Sequence, residues 1–522
     1  MTIVTIPAGQ TLTVTADVFS SGRVYRVVQP DGATVNKFVA VAAGTNVDLG
    51  PFAVERSYDV VSKSGSLSYA VSVKERVLLP SAVRGNRLVA LGESLIEHNH
   101  TANSLFKLSS WSRGFINWAQ VLNPGLFTFD VWYDATVRQG WEPTGPGSTV
   151  SFRGANAGVG GQTSAQILDR HRYLLDSVDC EVVVISAGTN DMASVPAETI
   201  ARNRQMLADA FIAAGKLVIL LPVQMRSDVT WPAVSGYRKK CHYVNQKARE
   251  LVDSRQNCFL FDWNEYWVDF NSANGNPKAG YSPDGIHHNT LSAYTIGKKF
   301  GEFLARILPP GGRRVVAPDD LYDAALNPLG NKAANPMLSG TAGTVSAPVT
   351  GSCADGYRIL RNTAIGCACA ASKEARADGR GNYQVLTFTP NQAAGSELFY
   401  FQTSTTDIAH GLPVGTWVRA SMEVDVSAWA GWQGITMHLR DNATGGILAY
   451  GMEDYSADPW PAEAWSGVIF SPPFRITDAA STLRFQPRIK VDNSKAGAGV
   501  LKIGAPEIRP CADPRGLVNY RE

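Results

Sequence analysis

A serine follows a short apolar segment in the stretch RLVALGESLIEHNH, which spans residues 87–100. The apolar half is typical of a buried strand, and Gly92 is typical of the turn that ends one. This turn has two explanations: it only redirects the chain, or it presents Ser94 as a nucleophile. A serine hydroxyl is a poor nucleophile until a positioned base takes its proton. The second explanation therefore requires a base elsewhere in the chain, usually a histidine oriented by a carboxylate.

The segment SPDGIHHN, residues 282–289, contains such a pair. Asp284 and His287 are three residues apart, so they can lie on one side of a turn that leads into a helix. Asp284 can then accept a hydrogen bond from the His287 ring and fix its tautomer. His288 competes for the role of base, but neighbouring residues on a helix point about 100° apart, and we favour His287.

Acyl transfer also needs hydrogen-bond donors for the oxyanion, and two more segments supply them. The segment VISAGTND, residues 184–191, ends a strand and brings the side-chain amide of Asn190 to its exit. The segment NAGVGGQTSAQIL, residues 156–168, is a glycine-rich turn before a helix, where Gly161 can offer a backbone N–H at close range. Asp191 is expected to support its loop by hydrogen bonding.

Residues 84–312 are predicted to form the α/β domain that positions these groups. Short apolar strands are predicted at 88–91, 181–187, 216–223 and 258–263, with helices near 163–175, 196–214, 236–254 and 290–308. Apolar strands that alternate with helices indicate a parallel sheet covered on both faces, hence a three-layer domain. Ligands of such sheets bind beyond the carboxyl ends of the strands, where Ser94 is predicted to lie.

The flanking segments have a β-rich pattern. Residues 1–83 are predicted to form an all-β domain, and residues 336–522 a jelly-roll-like β-sandwich. Residues 313–335, which follow the PPGG sequence at 309–312, are predicted to be a linker. A chain of 522 residues is long enough for several such domains.

Composition excludes several classes of function. A net charge of +2 does not favour nucleic acid as a partner, and no apolar run is long enough for a membrane span. The seven cysteines are scattered and odd in number, which indicates synthesis in a reducing compartment without a disulfide framework. Cys367 and Cys369 have no matching second pair, so we expect no metal, and no segment suggests a cofactor. The first residues alternate like a strand and do not resemble a secretion signal.

Four blocks, in this order, resemble those of the SGNH (GDSL-type) hydrolase family. They are Gly-x-Ser-Leu at 92–95, the glycine block at 156–168, Gly-x-Asn-Asp at 188–191 and Asp-x-x-His at 284–287. Each block alone is a weak signal, whereas four in order, each at a strand exit, are specific. The resemblance covers about residues 84–308.

The resemblance implies a flavodoxin-like SGNH hydrolase fold and a set of roles. By similarity, Ser94 is the nucleophile, His287 the general base and Asp284 its orienting partner. Gly161 and Asn190 join the Ser94 backbone N–H in the oxyanion hole. Glu93 replaces the Asp of the GDSL motif, which is not a triad residue. Gly160 stands where many relatives have Ser.

Further residues are candidates for contacts with substrate. Glu93, Trp132 and His288 are assigned to substrate binding, and the HNH sequence at 98–100 to the mouth of the site. The tryptophans of the insertion after Ser94 and those of the predicted sandwich are either core aromatics or platforms for sugar rings. They are Trp111, Trp118, Trp132 and Trp141 in the insertion, and Trp417, Trp429, Trp432, Trp460 and Trp465 in the sandwich.

The architecture resembles phage tail-associated carbohydrate esterases. This resemblance implies an esterase that removes acyl groups, O-acetyl above all, from a bacterial surface polysaccharide. It also implies a place in the virion and a homo-oligomer, a trimer by analogy with tail proteins. A cytoplasmic enzyme without a signal peptide fits the sequence equally well. Two alternatives stay open: a lipase or general carboxylesterase, and a glycan-binding tail adhesin with an inactive SGNH fold.

Overall fold

A computed structural model describes most of the chain. The described residues are 2–6, 11–16, 21–27, 34–41, 46–49, 56–64, 67–72, 86–104, 107–131, 154–171, 174, 180–313, 316–333, 335–362, 365–404, 407–442, 446, 448–454, 458–511 and 514. Trp132 and Trp141 lie outside the described residues. Within these ranges, no helix has the length and apolarity that crossing a membrane requires.

The described part of the N-terminal segment is all-β, as predicted. Its strands are β1 Thr2–Ile6, β2 Thr11–Ala16, β3 Ser21–Val27, β4 Thr34–Val41, β5 Asn46–Leu49, β6 Arg56–Ser64 and β7 Leu67–Ser72. They form two antiparallel sheets, with the orders β1-β6-β3-β4 and β5-β2-β7. Leu12 and Val14 alternate with threonines along β2 and are fully buried, so the apolar face of this strand packs inward.

The central segment alternates strands and helices. Its strands are β8 Asn86–Gly92, β9 His100–Ser104, β10 Lys107–Trp111, β11 Phe127–Thr128, β12 Asn156–Gly158, β13 Val182–Ile185, β14 Leu217–Leu220 and β15 Cys258–Leu260. Its helices are α1 Ser94–Glu97, α2 Phe115–Leu122, α3 Ser164–Asp169, α4 Ala197–Ala213, α5 Tyr237–Ser254, α6 Asn264–Trp267 and α7 Thr290–Ile307, with a 3-10 turn at Ala233–Ser235. The four predicted strands and four predicted helices all have a counterpart in these elements.

The central sheet is parallel and covered on both faces. Its order is β12-β8-β13-β14-β15, with β11 beside the start of β8, and every described pairing in it is parallel. Leu88 and Val182 point into a core shared with α2 and α7. Val89 and Val183 point into a second core shared with α3, α4 and α5. The prediction of a three-layer, flavodoxin-like α/β domain is confirmed.

The C-terminal segment is a sandwich of two sheets. Its strands are β16 Ala342–Val345, β17 Thr350–Gly351, β18 Cys353–Arg361, β19 Ala368–Ala375, β20 Asn382–Thr389, β21 Ser396–Thr403, β22 Ile408–Ala409, β23 Trp417–Val426, β24 Trp432–Asp441, β25 Leu448–Glu453, β26 Trp465–Phe470, β27 Phe474–Arg475, β28 Thr482–Phe485, β29 Arg488–Asp492 and β30 Gly499–Pro510. One sheet has the order β16-β18-β21-β29-β24-β25-β10-β9, and the other β17-β19-β20-β30-β23-β26. The predicted β-rich C-terminal region is confirmed.

The tryptophans of this sandwich are core residues. Trp417, Trp429, Trp432, Trp460 and Trp465 are each at most 6% exposed. Trp429 and Trp432 pack edge to face, with ring centroids 5.1 Å apart. In this packing the indole faces are covered by protein, so the interpretation of these residues as sugar platforms is wrong.

The sandwich and the α/β domain are joined by a shared sheet and a shared core. The strands β9 and β10 come from the segment that follows Ser94, and β10 pairs in parallel with β25 of the sandwich. Trp118 of α2 packs edge to face on Trp460 and Trp465, with centroid distances of 5.6 and 5.2 Å. The domain boundaries at 312 and 336 stay predictions, but the two domains are packed against each other.

An ion pair extends the contact between the two domains as far as α7, the helix that follows His287. The Arg113 guanidinium donates two hydrogen bonds of 2.7 Å to the Asp458 carboxylate. Asp458 also accepts a 3.0 Å hydrogen bond from the backbone N–H of Thr290, the first residue of α7. The predicted linker also contacts the sandwich at its first residue, because Arg313 donates a 2.7 Å hydrogen bond to Glu423.

We expect the substitution Asp458→Ala to lower the free energy of unfolding by about 3 kcal/mol, because it removes the carboxylate that balances the largely buried Arg113 charge. Equilibrium urea unfolding measures this loss. The control is Glu302→Ala, which removes an exposed ion pair with Lys299 on α7 and should cost less than about 1 kcal/mol. Equal losses of unfolding free energy for the two variants would contradict a stabilising role of Asp458 at the interface.

Candidate active site

Ser94 lies in a tight turn between β8 and the single turn of α1. The backbone N–H groups of Ile96 and Glu97 both donate to the Glu93 carbonyl over 3.0 Å. Gly92 is required at this turn, because a Cβ there would lie 2.5 Å from Ile96 Cγ1 and 2.9 Å from the Ser186 carbonyl oxygen. The close contact between strand and helix leaves Ser94 partly exposed at the carboxyl end of β8, while Leu95 and Ile96 enter the core.

A continuous chain of hydrogen bonds joins Ser94, His287 and Asp284. Ser94 Oγ is 2.8 Å from His287 Nε2, and His287 Nδ1 is 2.6 Å from Asp284 Oδ2. An ionised carboxylate only accepts hydrogen bonds, so Nδ1 carries the ring proton and Nε2 is free to accept from the serine. The ring is therefore in the tautomer that a general base for Ser94 requires.

The Asp284 carboxylate is held in its ionised form. Partial burial by itself raises the pKa of this group, but hydrogen bonds from His287 and Ile286 reverse the effect and lower the pKa to about 2. Asp284 Oδ1 accepts the backbone N–H groups of Ile286 and His287 over 2.9 and 2.8 Å. Asp284 therefore binds both the His287 ring and the backbone of the turn that carries His287.

The two predicted oxyanion donors lie on neighbouring loops. Gly161 is exposed and has a φ of +78°, a conformation that L side chains rarely adopt. Asn190 Nδ2 donates to the Gln162 carbonyl over 3.0 Å, so the Asn190 loop is bonded to the loop that carries Gly161. The Ser94 backbone N–H lies in the first turn of α1, where a helix has no internal acceptor for it.

Buried polar contacts fix these loops to the end of the sheet. Arg170 donates to the Gly92 carbonyl over 2.8 Å and to Gln162 Oε1 over 2.6 Å, which ties the serine turn to the glycine loop. Asp191 accepts the Ser164 hydroxyl over 2.7 Å and the Ser164 N–H over 2.9 Å, at the start of α3. Asp191 thus supports its loop by hydrogen bonding, as the sequence predicts.

The loop after β14 contacts both halves of the site, and the sequence blocks do not include it. Gln224 donates to the Ile286 carbonyl over 2.8 Å and accepts from His288 Nε2 over 2.7 Å, so it bonds to both neighbours of His287. Arg226 donates to Asn190 Oδ1 over 2.9 Å. The only feature of the sequence that could have indicated a role for Gln224 and Arg226 is that their loop follows a predicted strand of the same sheet.

His98 lies beside His287. Its ring centroid is 4.6 Å from that of His287, and Trp111 packs on it edge to face at 5.8 Å. Burial, and secondarily the charge of His287, lower the pKa of His98 to about 3. His98 therefore stays neutral near pH 7 and adds an uncharged ring to the wall of the site.

Glu93 and His288, two of the three residues assigned to substrate binding, are buried. Glu93 is 1% exposed and accepts the Ser186 hydroxyl over 2.7 Å beneath the serine turn. His288 is 2% exposed among the rings of Phe115, Trp263 and Trp267. Both assignments to substrate contact are wrong for these buried side chains, and Trp132 lies outside the described residues.

The HNH sequence is likewise mostly internal. Asn99 and His100 are at most 3% exposed, and Asn99 Oδ1 accepts the backbone N–H of Ile116 in the first turn of α2. Of the three residues, only His98 borders the site. Among the residues that the structure describes, no three His, Cys, Asp or Glu side chains converge as metal ligands.

The family comparison agrees with this geometry. Residues 128–291 match the model of the GDSL-like Lipase/Acylhydrolase family. This match lies within the α/β domain and covers the glycine loop, the Asn190 loop and the turn that carries Asp284 and His287. The matched range contains Gly161, Asn190, Asp284 and His287 but begins after Ser94, which the fold brings to the same edge because β8 pairs with β12 and β13.

Several solved structures are similar to part of this chain, at low identity and low TM-score. A GDSL-like lipase from Bacteroides thetaiotaomicron is 19% identical, with 43% of this chain and 89% of that chain covered and a TM-score of 0.30. The esterase EstA from Pseudoalteromonas sp. is 15% identical, with 42% and 98% covered and a TM-score of 0.30. A family 3 carbohydrate esterase from Talaromyces cellulolyticus is 16% identical, with 42% and 97% covered and a TM-score of 0.29. Curated protein sequences gave no match.

If the three groups act as a unit, the substitution Ser94→Ala should lower kcat for p-nitrophenyl acetate by at least about 10³-fold without a change in the circular dichroism spectrum. His287→Ala should give a loss of the same order, because either change removes nucleophilic catalysis. The control is Ser110→Ala, a buried serine of β10 outside the hydrogen-bonded chain. Hydrolysis by Ser94→Ala at the rate of the unsubstituted protein would contradict the assignment.

We expect the acid limb of the kcat/KM profile between pH 4 and pH 8 to have a slope of no more than about 1 on a logarithmic plot. His98 and His288 do not contribute, because burial lowers the pKa of each to about 3. Asp284, with a pKa of about 2, stays ionised throughout. A slope near 2 would show that a second of these groups titrates.

Proposed function

We propose that this protein is a serine esterase that removes acyl groups, O-acetyl above all, from a polysaccharide. The observation that carries the proposal is the hydrogen-bonded chain Ser94–His287–Asp284 at the carboxyl edge of the sheet. A glycan-binding protein does not need a serine hydroxyl aimed at a neutral histidine nitrogen. The match of residues 128–291 to the GDSL-like Lipase/Acylhydrolase family supports ester hydrolysis.

The proposed reaction has two acyl-transfer steps. Ser94 Oγ attacks the ester carbonyl while His287 Nε2 takes its proton, and the Asp284 carboxylate stabilises the resulting imidazolium. The carbonyl oxygen becomes an oxyanion and receives hydrogen bonds from the backbone N–H groups of Ser94 and Gly161 and from Asn190 Nδ2. As the intermediate collapses, His287 gives the proton to the leaving sugar oxygen and the acyl group stays on Ser94.

Water then completes the cycle. A water molecule takes the place of the leaving alcohol, gives a proton to His287 Nε2 and attacks the acyl carbonyl. The same donors bind the second oxyanion. The bond between Ser94 Oγ and the acyl carbon breaks, His287 returns the proton to Ser94 Oγ, and the carboxylic acid leaves.

The openness of the site supports an ester on a polymer. The side chains of Asp284 and His287 are 45% and 22% exposed, and Gly160 and Gly161 border the site as an exposed turn. A polysaccharide chain has to pass across the nucleophile, which a shallow site at the protein surface allows. The virion location and the trimer rest on the architectural resemblance alone and stay predictions, which light scattering and purified virions would test.

We expect acetate release from an O-acetylated bacterial polysaccharide, and hydrolysis of p-nitrophenyl acetate at least about tenfold faster than that of p-nitrophenyl octanoate in kcat/KM. The reason is that the exposed groups described at the site, Asp284, His287 and the glycine turn, offer a long acyl chain little apolar surface. Ion chromatography measures the acetate, and Ser94→Ala is the blank. Faster hydrolysis of the octanoyl ester would favour a lipase. Polysaccharide binding without acetate release or ester hydrolysis would favour the adhesin.

A further inference from the structure

The loop after β14 places a cation against the Asn190 loop. Arg226 belongs to the segment PVQMRSD, residues 222–228. Its Nη2 donates to Asn190 Oδ1 and its Nε to Thr189 Oγ1, each over 2.9 Å. One guanidinium thus holds two consecutive residues of the loop that ends in the proposed oxyanion donor.

These contacts determine which way the Asn190 amide faces. A guanidinium only donates hydrogen bonds and a backbone carbonyl only accepts them. Asn190 Oδ1 therefore has to face Arg226, and Nδ2 has to face the Gln162 carbonyl, which is 3.0 Å away. Nδ2 carries two hydrogens, and the bond to Gln162 uses one. The other is left for an oxyanion.

The charge of Arg226 also bears on the strength of that donor. A cation bonded to the oxygen of an amide draws electron density toward the oxygen, which makes the N–H groups of the same amide better donors. The resulting increase in hydrogen-bond strength grows with the negative charge on the acceptor. It is therefore larger for the oxyanion of the transition state than for the neutral ester carbonyl.

The guanidinium is fixed in place by its own surroundings. It lies over the Trp231 ring, 5.5 Å from the ring centroid. The Arg226 carbonyl accepts a 3.0 Å hydrogen bond from Arg238 Nη2, which holds the backbone of the loop. Thr189, the second acceptor, is 4% exposed, so the contact between the two loops is sheltered from water.

We propose that Arg226 is a positioning residue of the oxyanion hole. It holds the Asn190 amide with one N–H directed at the developing oxyanion and increases the strength of that hydrogen bond. The inference rests on the proposed function, because Arg226 acts through Asn190 and Asn190 has to be an oxyanion donor.

A double-mutant cycle with p-nitrophenyl acetate tests the coupling. We expect Arg226→Met to lower kcat about tenfold or more while KM changes less than about threefold, since the contact matters mainly in the transition state. In the Asn190→Ala background the same substitution should cost less than about twofold. Arg226→Lys should recover part of the loss, because an ammonium group can donate to Asn190 Oδ1 but lacks the planar guanidinium geometry that also reaches Thr189 Oγ1.

The matched control is Arg249→Gln, which removes another arginine of the domain, 46% exposed and paired with Asp262. Its kcat and melting temperature should not change. An unchanged kcat for Arg226→Met, or the same fold loss with and without Asn190, would overturn the inference. If Arg226→Met does not fold, the cycle with Arg226→Lys decides by the same criterion. An unchanged kcat for Asn190→Ala would instead count against the proposed oxyanion hole itself.

Discussion

The hydrogen bond between Ser94 Oγ and His287 Nε2 joins two segments that are 193 residues apart in sequence. Such a bond is useful only if both ends are held to within a few tenths of an ångström. Ser94 is held by the turn at Gly92, where strand and helix are in contact. His287 is held by Asp284 and by Gln224, which bonds to the residues on either side of it. Much of the surrounding structure can be understood as a support for this one distance.

The sandwich contributes to that support. Its Asp458 carboxylate accepts the backbone N–H of Thr290 and so caps the first turn of α7, immediately after the turn that carries His287. The strands β9 and β10 follow α1, which begins at Ser94, and enter the sheet of the sandwich. The segments that carry Ser94 and His287 are thus continuous with elements that the sandwich holds. This arrangement differs from that of a catalytic domain with a separate binding module on a flexible linker.

The sequence allowed a good prediction of the groups at the edge of the sheet. Ser94, Asn190 and the Asp284–His287 pair each follow a predicted element, and parallel strands bring their carboxyl ends to one edge. The structure brings Ser94, Asp284 and His287 into one hydrogen-bonded chain. The pattern did not predict Gln224 or Arg226, because their partners are distant in sequence and no local spacing marks them.

Burial was the hardest property to predict. Glu93 and His288 adjoin Ser94 and His287, yet one step along the chain turns a side chain from the candidate site into the core. The tryptophans of the sandwich are equally compatible with an exposed platform and a packed core when only their sequence is known. The HNH sequence at 98–100 was predicted to lie at the mouth of the site, and His100 instead begins strand β9 in a sheet of the sandwich. Such long-range pairing leaves no signal in local periodicity.

The most direct test of the account is to trap the nucleophile. Incubation with a fluorophosphonate ester, followed by peptide mass spectrometry, should give one phosphonyl group per chain, on Ser94. The modification should be lost in His287→Ala, because without the base the hydroxyl is not activated. A phosphonyl group on another residue, or a Ser94 that reacts equally fast without His287, would contradict the central claim that the Ser94–His287 hydrogen bond creates the nucleophile.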